Sequence, residues 1–156
     1  MTEPDIPRRA ARVLLVNADD RVLLFRGFDP ARPGQHYWFT VGGGLDGEEP
    51  AATGAVRELY EETGLLVTAD QLGSAVWHEV TRYPFEGQWY RQEQEFFLVR
   101  VERWDVVTQG FDDVELRSID GHRWWSIPEL ESTSERYYPV ELPNLLRRLV
   151  EGARTC

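Results

Sequence analysis

The pattern of apolar and polar positions divides the N-terminal part of the chain into three predicted strands. Residues 9–17 and 21–26 are leucine-rich and β-branched and flank the polar residues 18–20, which predicts a hairpin. The aromatic run 37–41 predicts a third strand. It is expected to stop at the glycines 42–44, because glycine allows a sharp turn and the close approach of a ligand.

A helical pattern begins at residue 50. Small and apolar residues recur at helical spacing as far as Thr63, Pro50 suits a first turn, and Gly64 stands where a C-terminal cap belongs. The sequence therefore predicts a helix over 50–63.

The C-terminal half predicts further strands and two short helices. Residues 75–85 and 88–101 form long apolar-rich runs, and 117–126 is another strand candidate. Residues 127–130 open a helical turn, and 142–150 form an amphipathic helix. The order of elements predicts a mixed sheet flanked by helices, in the α+β class.

Length and composition favour one domain. A chain of 156 residues with 42% hydrophobic residues has enough apolar side chains for one core. We expect a single domain over 1–156, with flexible tails at 1–7 and 152–156. The single cysteine, Cys156, leaves no partner for a disulfide. With no secretory signal and no apolar run of about 20 residues, a cytoplasmic location is the default expectation.

The distribution of charge is more informative than its total. A net charge of −10 argues against binding to a nucleic-acid duplex or to an anionic membrane, which both require a basic face. Between Asp46 and Glu62 there are six carboxylates and one basic residue, Arg57. This segment is expected to attract cations.

Three of these carboxylates fall on one face of the predicted helix. Glu58, Glu61 and Glu62 are spaced i, i+3 and i+4. Carboxylate oxygens without nearby cysteine suit hard ions such as Mg²⁺ or Mn²⁺. A solvated acidic face is the alternative interpretation, because charged residues on a helix usually face water.

The spacing of the whole segment resembles the Nudix box of the MutT-type hydrolases. The matching positions are Gly43, Glu49, Arg57, Glu58, Leu59, Glu61, Glu62, Gly64 and Leu65. The strand ending Trp-Phe-x-x-Gly-Gly and the late segment 123–130 are also similar to the family's layout. Val41 departs from the pattern, since many members have proline there.

This resemblance implies an α/β/α sandwich with a mixed sheet and a set of site residues. It makes Glu58, Glu61 and Glu62 metal ligands together with the carbonyl of Gly42. It also makes Arg57 the group that orients Glu58. Gly43, Glu49 and Gly64 are then structural positions of the motif, with Glu49 as its brace.

The general base is a separate question, because members of the resembling family differ in its position. The candidate outside the box is Glu115, in the acidic segment 112–115, which a loop of solvated acids would equally explain. Glu93 and Glu95 are second choices.

The resemblance implies divalent-metal-dependent hydrolysis of a nucleoside diphosphate linked to another moiety. The substrate would be a nucleoside triphosphate, a dinucleoside polyphosphate or a nucleotide sugar. Aromatic residues, Trp38 and Tyr83 among them, are candidates to stack on a base, with core packing as the alternative. The rival functions are a nucleotide-sensing domain without catalysis and a protein-interaction module that uses the acidic face. Dimers are common in the family, which leaves a homodimer open.

Overall fold

The computed structural model describes residues 5–154 apart from residues 109 and 112, and only the backbone of residues 114, 153 and 154. Cys156 and Asp112 therefore lie outside the described residues. The strands are β1 Ile6–Val16, β2 Val22–Phe28, β3 His36–Gly44, β4 Trp77–Phe85, β5 Gln88–Arg100, β6 Ile119–Trp125 and β7 Tyr137–Tyr138. The helices are α1 Ala51–Thr63, α2 Ala69–Leu72, α3 Asp113–Ser118, α4 Ile127–Ser132 and α5 Leu142–Arg154.

β1 is the centre of a mixed sheet. It pairs in parallel with β5 along its whole length, and β4 pairs antiparallel with the outer side of β5. The hairpin between β1 and β2 is confirmed at its turn, where Val16 pairs with Val22. Beyond the turn the two strands diverge, because β1 pairs with the end of β3 while β2 pairs with the start of β3 and with β6.

The sheet separates two hydrophobic cores. Side chains alternate along β1, so Val13 and Leu15 enter one core while Leu14 and Val16 enter the other. The first core includes Ala51, Ala55 and Leu59 of α1, and the second includes residues of α4 and α5. The predicted mixed sheet between helical layers is confirmed.

The predicted helix over 50–63 is confirmed as α1. Pro50 is its N-cap residue, and Gly64 ends it with φ 80°, a left-handed conformation that glycine adopts without strain. Gly54 lies where a Cβ atom would be 2.2 Å from Cδ2 of Leu45. The absence of a side chain at Gly54 therefore lets the loop before α1 pack closely on the helix.

The third strand, predicted over 37–41 and expected to stop at the glycines 42–44, includes these glycines. β3 continues to Gly44, and Gly42, Gly43 and Gly44 pair with Arg12, Ala11 and Ala10 of β1. A Cβ atom on Gly42, whose φ is 137°, would lie 2.1 Å from the carbonyl oxygen of Ala11. The glycine is needed there for the close approach of β1.

The strand predicted over 117–126 begins later. Arg117 and Ser118 belong to α3, and β6 starts at Ile119. Asp113 and Glu115 lie in the first turn of α3 and Arg117 in its last turn, where their charges complement the helix dipole. The acidic segment that was expected to be a loop is therefore helical from Asp113.

The ends of the described chain are more regular than expected. β1 starts at Ile6, which pairs with Tyr90 of β5, so part of the expected tail 1–7 belongs to the sheet. α5 extends four residues beyond the predicted end at residue 150. Within the described part of the chain, no helix is long and apolar enough to cross a membrane.

A buried aspartate connects two loops through hydrogen bonds. Asp29 is 8% exposed and accepts hydrogen bonds from the backbone N–H groups of Ala31 (2.9 Å) and Glu86 (3.0 Å). Ala31 belongs to the loop between β2 and β3, and Glu86 to the turn between β4 and β5. The clamp fixes the tip of the β4–β5 hairpin against the rest of the fold.

Candidate metal-binding active site

Three carboxylates from two helices meet at one point. Glu58 and Glu62, one turn apart on α1, are 7% and 0% exposed. Glu115 is contributed by α3, and the three residues have carboxylate oxygens within 4.8 Å of one another. The structure therefore brings Glu115, predicted outside the motif, to two carboxylates of the motif.

The segment after β5 carries the chain to α3 by wrapping around the C-terminal end of α1. The indole N–H of Trp104 and the backbone N–H of Val107 both donate to the carbonyl oxygen of Thr63, at 2.8 and 2.9 Å. A Cβ atom on Gly110 would lie 2.5 Å from the carbonyl oxygen of Glu61. These contacts position α3 beside the buried glutamates.

Glu62 is buried with only half of its carboxylate satisfied. Its Oε1 accepts a hydrogen bond of 2.7 Å from the backbone N–H of Gly42. Its Oε2 is buried and accepts no hydrogen bond. Burial, followed by the neighbouring carboxylates of Glu115 and Glu58, raises the pKa of Glu62 well above its ordinary value.

Glu58 lies over the glycine segment of β3. A Cβ atom on Gly43 would be 2.7 Å from its Oε1, so glycine is the residue that lets the carboxylate lie against the strand. Burial raises the pKa of Glu58 to about 7 against the opposing charge of Arg57, and the carboxylates of Glu115 and Glu61 raise it further. Without a bound cation, the carboxyl groups of Glu58 and Glu62 are therefore harder to ionise than ordinary glutamates.

Arg57 braces the motif through a bidentate ion pair with Glu49. Its Nε and Nη2 lie 3.1 and 2.8 Å from the two carboxylate oxygens of Glu49. Nη2 also donates to the carbonyl oxygen of Gly44 (3.2 Å), and Nη1 donates to Glu58 (3.0 Å). The pair lowers the pKa of Glu49 and raises that of Arg57, as a charge-assisted fork does. Arg57 thus joins the loop, β3 and Glu58.

Glu61 differs from its two neighbours on α1. Its side chain is 37% exposed, and its nearest cation is Nη1 of Arg57 at 3.5 Å. It is not among the three grouped carboxylates of the described residues. Seen along the helix axis, it lies roughly 100° from Glu62, which points into the sheet. Its role as a metal ligand stays a prediction, as does that of the Gly42 carbonyl.

The alternative bases have other partners. Glu95 lies 2.6 Å from Nε2 of His78, and Glu93 lies 3.6 Å from Nη1 of Arg91. Neither belongs to the grouped carboxylates. Trp38, a candidate for stacking on a base, is 8% exposed and packs edge-on against Trp125, so the core explains it.

Arg12 is a nearby residue that the motif does not indicate. It is opposite Gly42 in the pairing of β1 with β3. Burial lowers the pKa of its guanidinium, and the charges of Glu62 and Glu58 partly oppose that shift. The available signal in the sequence was one arginine inside the apolar run 10–16.

The donor set fits a hard divalent cation. Three carboxylates converge, and one buried oxygen, Oε2 of Glu62, has no hydrogen-bond donor. A buried unpaired carboxylate is costly, and a cation bound by oxygen ligands relieves that cost. Glu58, Glu62 and Glu115 are therefore the residues that could hold Mg²⁺ or Mn²⁺.

Comparison with known proteins identifies the family. The model of the NUDIX domain matches residues 6–147, which is most of the chain and includes every site residue described above. This chain belongs to the NUDIX family. The resemblance inferred from the motif is thereby confirmed.

Relatives of this NUDIX domain are similar in sequence over part of the chain and in fold over nearly all of it. A MutT-like protein of Streptomyces ambofaciens is 33% identical over 81 residues, which cover 52% of this chain and 49% of that protein. The match thus spans about half the length of that relative.

Solved structures share the fold at low sequence identity. A MutT protein from Methanosarcina mazei Go1 has a TM-score of 0.67 at 16% identity, covering 97% of this chain and 99% of the other. The E. coli dihydroneopterin triphosphate pyrophosphohydrolase has a TM-score of 0.63 at 17% identity, with 95% and 99% covered. The C. elegans Ap4A hydrolase has a TM-score of 0.59 at 18% identity, covering 95% of this chain and 99% of the other.

Proposed function

We propose that this NUDIX domain is a Mg²⁺- or Mn²⁺-dependent pyrophosphohydrolase. Its substrate would be a nucleoside diphosphate linked to another moiety. The observation that carries the proposal is the group formed by the buried Glu58 and Glu62 with the partly buried Glu115, in which one carboxylate oxygen of Glu62 has no donor. Such a group is unfavourable without a cation and suited to metal-assisted hydrolysis with one.

The metal chemistry would be that of an oxygen-ligated hard cation. Divalent ions held by Glu58 and Glu62 would offset the charge of a diphosphate and lower the pKa of an attacking water molecule.

The remaining contributions come from the chain itself. The backbone N–H of Gly42 holds Oε1 of Glu62, and the buried Oε2 has no hydrogen-bond donor. Arg57 holds Glu58 in place while its second edge is bound to Glu49. Glu115 comes from a different helix, and we assign it the role of accepting the proton of the attacking water.

The phosphoanhydride bond that is cleaved is better supported than the remaining parts of the substrate. Two of the solved neighbours are an Ap4A hydrolase and a dihydroneopterin triphosphate pyrophosphohydrolase, whose substrates differ but share a phosphoanhydride bond. Their identity to this chain is below 20%, so they support the bond type alone. Nucleoside triphosphates, dinucleoside polyphosphates and nucleotide sugars are the classes to test first.

The test is a hydrolysis screen over those three classes with Mg²⁺ and with Mn²⁺. Wild type should release product from at least one class, and Glu62→Gln should reduce that rate to background. Glu151→Gln removes a charge from an exposed position on α5 and should behave as wild type. Background turnover by wild type with every nucleotide would contradict the proposal.

The rival functions predict different outcomes. If nucleotides bind to the wild type but none is hydrolysed, the domain is a nucleotide sensor. If Mn²⁺ does not bind in a calorimetric titration, the acidic face is better explained as a protein-interaction surface.

A further inference from the structure

Two arginines of β1 lie beside the carboxylates without a carboxylate partner of their own. Arg8 and Arg12 are four residues apart on the strand. Among the described residues, neither forms an ion pair, although 27 acidic residues are present in the chain. Arg12 is partly buried and Arg8 is exposed. A partly buried cation without an ion pair is suited to bind an anion.

The hydrogen bonds of Arg12 go to neutral groups. Its Nε donates to Oε1 of Gln94 and its Nη1 to the carbonyl oxygen of Thr40, both at 3.3 Å. These bonds orient the guanidinium, and no carboxylate of the described residues lies within ion-pair distance of it, although Glu62 and Glu58 act on its charge from farther away. The planar fork of an arginine held in this way is suited to phosphate oxygens.

Arg8 lies over the last glycine of β3. A Cβ atom on Gly44 would be 2.7 Å from its Nη2, so the guanidinium rests where a side chain would otherwise be. Its Nη1 donates to the hydroxyl of Tyr83 at 3.1 Å. Arg8 is thus held against β3 by an oriented neutral partner.

A directed chain of hydrogen bonds links the two arginines. The carboxylate of Glu79 accepts from Nε2 of Gln94 (2.6 Å), and Oε1 of Gln94 accepts from Nε2 of Gln92 (2.8 Å). Oε1 of Gln92 accepts from the hydroxyl of Tyr83 (2.9 Å), which leaves the Tyr83 oxygen to accept from Arg8. Because a carboxylate only accepts, Glu79 fixes the direction of every bond, and each amide presents its oxygen towards the arginine side.

The glycine segment separates these arginines from the carboxylates. Arg12 is paired with Gly42 and Arg8 lies over Gly44, while the Cβ position of Gly43, between them, is 2.7 Å from the carboxylate of Glu58. The carboxylates that could bind a cation and the guanidinium groups that could bind an anion therefore both lie next to Gly42–Gly44. A chain of phosphates along these residues could reach both groups.

We propose that Arg12 and Arg8 bind a phosphate of the substrate that is not held by the metal ions. The substrate would then carry at least two contiguous phosphates along Gly42–Gly44. The inference rests on the proposed function and deepens it, because it assigns substrate binding to residues outside the NUDIX motif.

The experiment measures binding of methylenediphosphonate, a diphosphate analogue that is not cleaved, by calorimetry at saturating Mg²⁺. Wild type, Arg12→Gln, Arg8→Gln and the control Arg148→Gln are compared. Arg148 is exposed on α5, so its replacement changes the net charge by the same amount away from the site. Binding of Mn²⁺ to each protein, measured by water-proton relaxation, is the second readout.

We expect Arg12→Gln to weaken binding of the analogue by roughly 10- to 100-fold, and Arg8→Gln by about 3- to 10-fold because Arg8 is exposed. Mn²⁺ should bind both variants as tightly as wild type or slightly more tightly, since a nearby positive charge has been removed. A merely structural role would weaken both ligands together.

Three results would overturn the inference: no binding of the analogue to wild type, equal binding by wild type and both variants, or weaker binding of both the analogue and Mn²⁺ to the variants. If Arg12→Gln fails to fold, Arg8→Gln alone decides between these outcomes. Because the analogue is not hydrolysed, its binding is measured even if no nucleotide is a substrate. Loss of the proposed activity and loss of this inference are therefore distinguishable.

Discussion

Glu62 of α1 and Glu129 of α4 are the same residue type in opposite surroundings. Glu129 accepts from the backbone N–H of Ser126 at 2.9 Å, in a capping box, and forms ion pairs with Arg21 and Arg123. Glu62 has one backbone donor and a buried oxygen with none. Burial raises the pKa of Glu62, whereas the backbone N–H of Ser126, with the other donors, lowers that of Glu129 to about 2.

The difference separates a carboxylate that stabilises the fold from one that is reserved for a ligand. Donors surround Glu129, so its ionised form favours folding at neutral pH. The surroundings of Glu62 include two further carboxylates, Glu58 and Glu115, and its ionised form disfavours folding until a cation binds. Ionised Glu129 therefore stabilises the fold, whereas ionised Glu62 destabilises it and is available to bind a cation.

Replacing Glu62 should have the largest effect. Glu62→Gln is expected to reduce kcat roughly 100- to 10,000-fold. In the absence of metal at pH 8 it should raise Tm, because a carboxyl group with a raised native pKa destabilises the native state at that pH, whereas a neutral amide does not and can donate to Glu58 or Glu115. Thermal unfolding with a chelator checks the second point. A lower Tm for the variant would show that Glu62 is structural, as Glu129 is.

Arg57→Met should have the next largest effect, a loss of roughly 10- to 100-fold in kcat, because a charge-assisted hydrogen bond to Glu58 is lost. The charge of Arg57 lowers the pKa of Glu58, so its loss should also shift the pH–rate profile to higher pH. Arg57→Lys keeps the positive charge. Its pH–rate profile should therefore be close to that of wild type, while its kcat should recover less completely. A profile unchanged in Arg57→Met would contradict this role.

The metal-free protein should lose stability as pH rises from about 4.5 to about 7. The native pKa of Glu58 is raised from 4.5 to about 7, so in this window the native state binds more protons than the unfolded state. The shift of Glu58 by itself should lower the free energy of unfolding by about 3 kcal/mol, and the raised pKa of Glu62 acts in the same direction.

Urea unfolding at pH 5, 6, 7 and 8 with a chelator tests this trend. Mg²⁺ should restore stability at pH 8 far more than at pH 5, where it competes with protons. A free energy of unfolding that increases over the window without metal would be inconsistent with the raised pKa of Glu58.

Glu129→Gln should have the smallest effect and leave activity unchanged. Its native pKa of about 2 is below the ordinary value of 4.5, so its contribution is present above pH 4.5 and is lost as pH falls towards 2. The variant should melt a few degrees below wild type at pH 7, with the gap closing near pH 2. A constant gap from pH 7 to pH 2 would argue against the ionic contribution.

The elements that could be predicted from sequence are those with strong local signals. The helix over 50–63 and the strands around 75–85 and 88–101 correspond to α1, β4 and β5 within two residues at each end, because periodicity and the flanking glycines mark them. α2 and β7, with four and two residues, were not predicted. Segments so short carry no periodicity and are formed by their tertiary neighbours.

The sequence by itself determined the family motif, with Glu58, Glu62 and the Arg57–Glu49 brace spaced along one helix and its preceding loop. Local geometry suffices for that, since α-helical spacing fixes which side chains are neighbours. Only the tertiary structure decided that Glu115 joins Glu58 and Glu62, and that Arg12 lies beside them. Each of these placements depends on pairing and wrapping between segments far apart in the chain, which no local pattern encodes.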